Sequence, residues 1–101
     1  MHEALVLLNE LEVQLKHEGL WSGQAISDDA MRSQVPFAAD TMAFEQWLQF
    51  IYLPRLRDII HKHHALPVAM QVAPAAEVYI PEQNAIIGML RLLDSLAAEQ
   101  S

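Results

Sequence analysis

FAADTMAFEQWLQFIYLPRLRDIIHKHH, running from Phe37 to His64, decides the fold of this chain. It holds the longest apolar repeats and five of the seven aromatic residues, the others being Trp21 and Tyr79. At about 100° per residue from Phe44, the side chains of Phe44, Trp47, Leu48 and Ile51 gather on one face of a helix. Beyond Pro54 the apolar set becomes Tyr52, Leu56, Ile59, Ile60 and His63, and its centre has turned by about a quarter turn or more. Proline lacks the N–H that would bond the Phe50 carbonyl, and its ring crowds that turn, so a kinked helix is expected. Asp40 or Thr41 is the expected cap. Phe50 and Leu53 point away from the first stripe and call for a partner helix or a partner protein.

On the N-terminal side, Ala4, Leu8, Leu11 and Leu15 share one helical face within residues 1–17. Glu12 and Lys16 stand four apart in the favourable order, and Gly19 is a natural stop. Leu7 and Val13 lie off the stripe, so this helix has either two packing neighbours or a contact surface. Trp21 is expected to fold back from a loop. Ser27 with Asp28 and Asp29 starts a helix of about two turns before Pro36, and Phe37 plugs the mouth of the core. On the C-terminal side, Leu66-Pro67 ends the central helix. Leu66, Val68, Met70 and Val72 alternate as an extended segment over the core, with one helical turn around Ala75 to Tyr79. Pro81 is read as the first position of the last helix, whose stripe is Ile86, Leu90, Leu93 and Ala97.

Composition limits the function. The chain has 101 residues, 52% hydrophobic and 19% charged, enough to build one core. Its formal charge of −7, with only six Lys and Arg, argues against unaided binding to nucleic acid or anionic membranes. With no cysteine there is no disulfide, thiolate zinc site or thiol nucleophile. The opening MHEALVLLNELE carries acids in its apolar run and lacks a basic leader, and no apolar run reaches a bilayer-spanning length, so the expected location is the cytoplasm. The glycines are too scattered for a phosphate loop, and neither HExxH nor GxSxG occurs.

Three constellations remain. His61, His63 and His64 with Asp58 offer imidazole and carboxylate ligands, but at a helix end where imidazoles are favoured anyway, and no metal or cofactor is expected. Arg55, Arg57 and Lys62 gather half the cations in eight positions, as a solvated face or a surface for a phosphate or an acidic partner. Trp21, Phe37, Phe44, Trp47, Phe50 and Tyr52 are core, or line a groove for a ligand or peptide.

SQVPFAADTMAFEQWLQFIYLPRL, then LP at Leu66-Pro67, a proline followed by AAE at Ala75 to Glu77, and LLDSL in the last helix together resemble the YqcC-like family of small bacterial proteins. The likeness covers nearly the whole chain. It implies a compact helical bundle and a link to tRNA pseudouridine synthase C, whose label some family members carry because the two genes are often neighbours. Pseudouridine synthases are larger sheet-and-helix enzymes with an aspartate in a basic cleft. In the matching block Asp40 alone stands where such an aspartate is sought, at a helix start where capping explains it, and no catalytic residue is carried over.

The reading is therefore a single all-α domain over residues 1–101. It is a compact up-down four-helix bundle with an additional short helix and a proline-kinked central helix. The expected function is a non-catalytic interaction or accessory module, with an RNA-modifying enzyme as candidate partner and a homodimer as a further candidate assembly, since the wide apolar arc of the last helix is either buried or part of a dimer. Phe37, Trp47, Phe50, Leu53, Arg55 and Arg57 are the candidate partner-binding residues. An RNA-modifying enzyme and a binder of a small apolar ligand are the competing readings.

Overall fold

The computed structural model describes residues 2–67 and 71–99. Its elements are α1 (His2–His17), α2 (Asp28–Met31), a 3-10 turn (Pro36–Ala38), α3 (Phe44–Trp47), a π turn (Leu48–Tyr52), α4 (Leu53–His63), α5 (Ala73–Tyr79) and α6 (Asn84–Glu99). Among the described residues there is no strand, as the all-α reading requires. α3, the π turn and α4 run on as one central helix, which with α1 and α6 makes the three long members. The shorter α5 packs on α6, and α1 lies against both α6 and α4. One contiguous cluster of buried side chains joins them. Among the described residues no helix is long and apolar enough to cross a membrane.

The α1 stripe is realised as read: Ala4, Leu8, Leu11 and Leu15 are all fully buried. Gly19 then takes φ 73°, and two bonds close the end, Leu20 N–H to the Leu15 carbonyl at 2.9 Å and Gly19 N–H to the Lys16 carbonyl at 3.2 Å. That pair is a Schellman ending, in which glycine adopts the left-handed conformation without a Cβ clash. Trp21 does fold back, half-buried against the core beneath the Lys16 ammonium, 4.9 Å from its ring centroid. Its loop is pinned by Gln49, a buried polar side chain of the π turn. Ser22 N–H donates to Gln49 Oε1 at 2.7 Å, and Gln49 Nε2 donates to the Ser22 carbonyl at 2.9 Å.

Ser27 caps α2 as expected, its Oγ accepting from Ala30 N–H at 3.2 Å, but α2 is one turn and not two. Arg32 leaves the helix with ψ near zero, and the chain must then reach the 3-10 turn at Pro36. The central helix also starts later than expected. Ala43 is its N-cap, and Ala43 N–H donates to Gln46 Oε1 at 2.9 Å. Asp40 and Thr41 instead fasten the preceding turns: Asp40 accepts from the Ser33 hydroxyl, and Thr41 Oγ1 donates to the Ala30 carbonyl at 2.9 Å.

The irregularity read at Pro54 is a π turn immediately before it, closed by Leu53 N–H to the Leu48 carbonyl. A π turn inserts one residue into the helix, which relieves the clash a proline ring makes with the preceding turn and advances the phase by about 100°. The core face therefore passes from Phe44 and Leu48 to Tyr52 and Leu53, then Leu56 and Ile60. Leu53, which points away from the first stripe and calls for a partner helix or a partner protein, is fully buried within the core, as the first of these requires. α4 ends at His64, left-handed at φ 52°, whose N–H donates to the Ile60 carbonyl at 2.8 Å.

Beyond it, Leu66 and Val72 are buried, while Val68 and Met70 of the alternating segment lie outside the described residues. Where one turn was expected, α5 makes two, with Pro74 in its first turn. Its free N–H groups are capped from another helix: Asp94 Oδ2 of α6 accepts from both Val72 and Ala73 N–H at 2.8 Å. α6 begins at Asn84, so Pro81 sits in the α5–α6 turn and not inside the helix. Its stripe of Ile86, Leu90, Leu93 and Ala97 is buried as read, and of the residues that widen it, Ile87, Met89, Leu92 and Leu96, Ile87 is buried while Leu92 is exposed.

Candidate functional site

The aromatic residues converge at one end of the central helix. Phe37 and Ala38 both adopt the left-handed conformation, at φ 58° and 51°. Each such non-glycine residue costs about 1–3 kcal/mol and persists only where its surroundings hold it. What holds Phe37 is its ring. It meets Trp47 edge-on at a centroid distance of 5.0 Å, Phe44 at 5.7 Å and Tyr79 at 6.4 Å. Phe44 stacks on Tyr79 at 5.4 Å, which brings α5 into the cluster, and Trp47 meets Tyr52 at 5.5 Å. Beside these rings runs a cleft of about 350 Å³, lined among others by Phe37, Trp47, Ile51, Tyr52, Arg55 and Val72. That volume lies at the lower end of the range typical of ligand pockets.

Arg55 gives the cleft its charge. Of the six Lys and Arg, five make ion pairs: Lys16 with Glu12, Arg32 with Asp29, Arg57 with Glu12, Lys62 with Asp58, and Arg91 with Glu77. Among the described residues Arg55 alone has no acidic partner, in a chain with thirteen acids. An unneutralised guanidinium beside aromatic rings accepts a carboxylate or phosphate in bidentate fashion and stacks on π faces.

The structure divides the six candidate residues. Phe37, Trp47 and Arg55 come together at the cleft. Phe50 is half-buried in the π turn and does not line it. Leu53 belongs to the core. Arg57 turns to α1, its guanidinium donating to Glu12 Oε1 at 2.9 Å and to Asn9 Oδ1 at 3.0 Å. Tyr79, which the sequence reading left outside the cluster, belongs to it because α5 folds back over Phe44. His61, His63 and His64 are exposed and Asp58 pairs with Lys62 at 3.2 Å. Among the described residues no three His, Asp or Glu side chains group as metal ligands.

Glu12 is the electrostatic tie between α1 and α4. The hydrogen bond from Lys16, then that from Arg57, hold its carboxyl below its ordinary value of 4.5. Because the folded-state value lies below the unfolded one, the stabilisation is fully present above about pH 4.5 and is lost as pH falls through the folded value. Urea unfolding midpoints measured down an acid series should fall less steeply for Glu12→Gln than for the parent. Equal slopes would mean that the tie adds nothing.

Among the described residues two buried side-chain polar atoms lack partners, the Tyr52 hydroxyl and Asp94 Oδ1. Burial first, and the negative Asp94 second, push the Tyr52 hydroxyl well above the ordinary phenol range. An unpartnered buried hydroxyl costs about 1–3 kcal/mol, so Tyr52→Phe is expected to be neutral or mildly stabilising. A fall in melting temperature of more than about 4–8 °C, equivalent to about 1 kcal/mol lost, would show that the hydroxyl does have a partner.

Together these features define a small all-α protein with an aromatic cleft. The chain belongs to the DUF446 family, described as tRNA pseudouridine synthase C, whose profile matches residues 3–98. It is 32% identical over 98 residues to the uncharacterized protein YqcC of Escherichia coli K12, covering 93% of this chain and 90% of that one. An uncharacterized protein of Haemophilus influenzae is 30% identical over 89 residues, 88% of this chain and 84% of the relative. The solution NMR structure of E. coli YqcC superposes with a TM-score of 0.86 at 30% identity, over 99% of this chain and 89% of that one. A Pectobacterium carotovorum protein named tRNA pseudouridine synthase C is 35% identical over 60 residues, which are 59% of this chain and 16% of that protein.

Proposed function

We propose that this chain is a non-catalytic interaction module that serves an RNA-modifying enzyme, with the aromatic cleft and Arg55 as its docking point. The observation that carries the reading is Arg55, which among the described residues is the cation left without an acid, beside Phe37 and Trp47. A partner segment presenting an apolar ring next to a carboxylate matches that chemistry. The choice of partner is supported by the P. carotovorum relative, in which a stretch similar to this chain belongs to a much longer polypeptide named as the synthase. A catalytic role has less support. The charge of −7 opposes the RNA backbone, and Asp40 is exposed and engaged by the Ser33 hydroxyl.

Titration calorimetry of the purified chain against purified tRNA pseudouridine synthase C tests this directly. Saturable binding is expected, weakened by at least about tenfold, or about 1.4 kcal/mol, in Arg55→Glu. No heat of binding, or equal binding by the variant, would sink the reading. Pseudouridine formation on a tRNA transcript by the chain alone, abolished in Asp40→Asn, would replace it with an enzyme.

A further inference from the structure

A second uncovered face shares no residue with the cleft. On α1, Val6 and Val13 are 39% and 65% exposed, and on α6 Leu92 is 56% exposed. Together with half-buried Leu7, Met89 and Leu96 they floor a groove made of two adjoining hollows, of about 620 Å³ and about 350 Å³, which share Val6 and Glu10 and reach Val13 on α1. Glu3, Glu10 and Glu99 line it, and among the described residues none of the three has a Lys or Arg partner. Among the described residues no Lys or Arg lines the groove, and His2 is the one imidazole at its rim.

We infer that this groove docks a basic amphipathic helix of a partner protein. The inference stands apart from the role of the Arg55 cleft. From Glu3 to Val13 the groove spans about 15 Å at the helical rise, the length of roughly three turns. A furrow between two helices takes a third helix by ridge-into-groove packing. An extended peptide would find little to pair with, because the backbone groups of α1 and α6 are spent within their own helices. Charge decides the rest. A second copy related by a two-fold axis would set this glutamate-rimmed face against itself, each copy carrying −7. Anionic lipid and nucleic acid meet the same repulsion. Leu at i, i+3, i+4 and i+7 with Lys or Arg on the flanks satisfies floor and rim together.

The test uses a labelled synthetic helix of Leu and Lys with that spacing. Its controls are a scramble of the same composition and a Leu/Glu counterpart, with anisotropy for affinity and amide shifts for location. The Leu/Lys helix is expected to bind at least about tenfold tighter than either control, with shifts at Val6, Met89, Leu92 and Leu96. Leu92→Ser should remove binding while circular dichroism stays unchanged, because the side chain is exposed. Glu3→Lys/Glu10→Lys/Glu99→Lys should transfer the preference to the Leu/Glu helix. Equal binding of the scramble, or shifts confined to other faces, would overturn the inference. So would self-association of the parent that Leu92→Ser abolishes, because a second copy would then be the occupant. Arg55→Glu leaves this assay unchanged, so its outcome is separable from that of the cleft.

Discussion

Leu53→Ala is expected to destabilise this protein by about 2–5 kcal/mol, the range for removing a fully buried leucine where the core collapses only in part. Leu53 is fully buried and follows directly on the π turn. Total stabilities of small domains are about 5–15 kcal/mol, so the loss is a large fraction of the whole. In a domain of this length the melting temperature should fall by about 10–30 °C. Phe50→Ala, at a half-buried neighbour, should cost clearly less. The contrast discriminates between two registers. If the helix ran through Pro54 without the π turn, Leu53 would be peripheral, and its truncation would scarcely move the melting curve. Thermal unfolding of the two variants side by side decides which register the chain adopts.

Gln49→Leu carries the second large effect, about 1–3 kcal/mol, from a different mechanism. The volume is nearly kept, but the N–H and carbonyl of Ser22 lose the amide that satisfies both. Hydrogen exchange at the Ser22 amide should accelerate beyond what global destabilisation explains, because the Trp21 loop is released from the central helix first. Gln49→Glu is the informative companion: a carboxylate still accepts from Ser22 N–H but offers no donor to the Ser22 carbonyl. It should retain part of the protection. Unchanged exchange in Gln49→Leu would mean that solvent already serves Ser22 and that the loop is held by Trp21 alone.

The candidate site was only half legible in the sequence. Phe37, Trp47 and Arg55 could be picked out as aromatic and cationic positions near one end of a helix. Whether a cation is spare, however, depends on where every acid lies. Arg57 is two residues from Arg55 and equally basic, yet Glu12 and Asn9 of α1 claim it. No local pattern in α4 separates the two. Tyr79 was overlooked for the same reason, since only the return of α5 over Phe44 brings it to the cluster.

What the sequence alone determined were the elements with an unbroken period or a single local signal. The stripes of α1 and α6 follow an unbroken helical period, Gly19 supplies the left-handed residue that ends α1, and Ser27 supplies its own cap. Tertiary structure decided what depends on residues far apart or on a broken period. The π turn shifts the phase of the central helix by one residue, so counting from Phe44 sets Leu53 opposite the first stripe and leaves open whether a helix or another protein covers it. Asp94 caps α5 from another helix, 22 positions from Val72, and Gln49 holds Ser22 across 27. Periodicity describes one helix at a time, whereas these bonds exist only once the helices have packed.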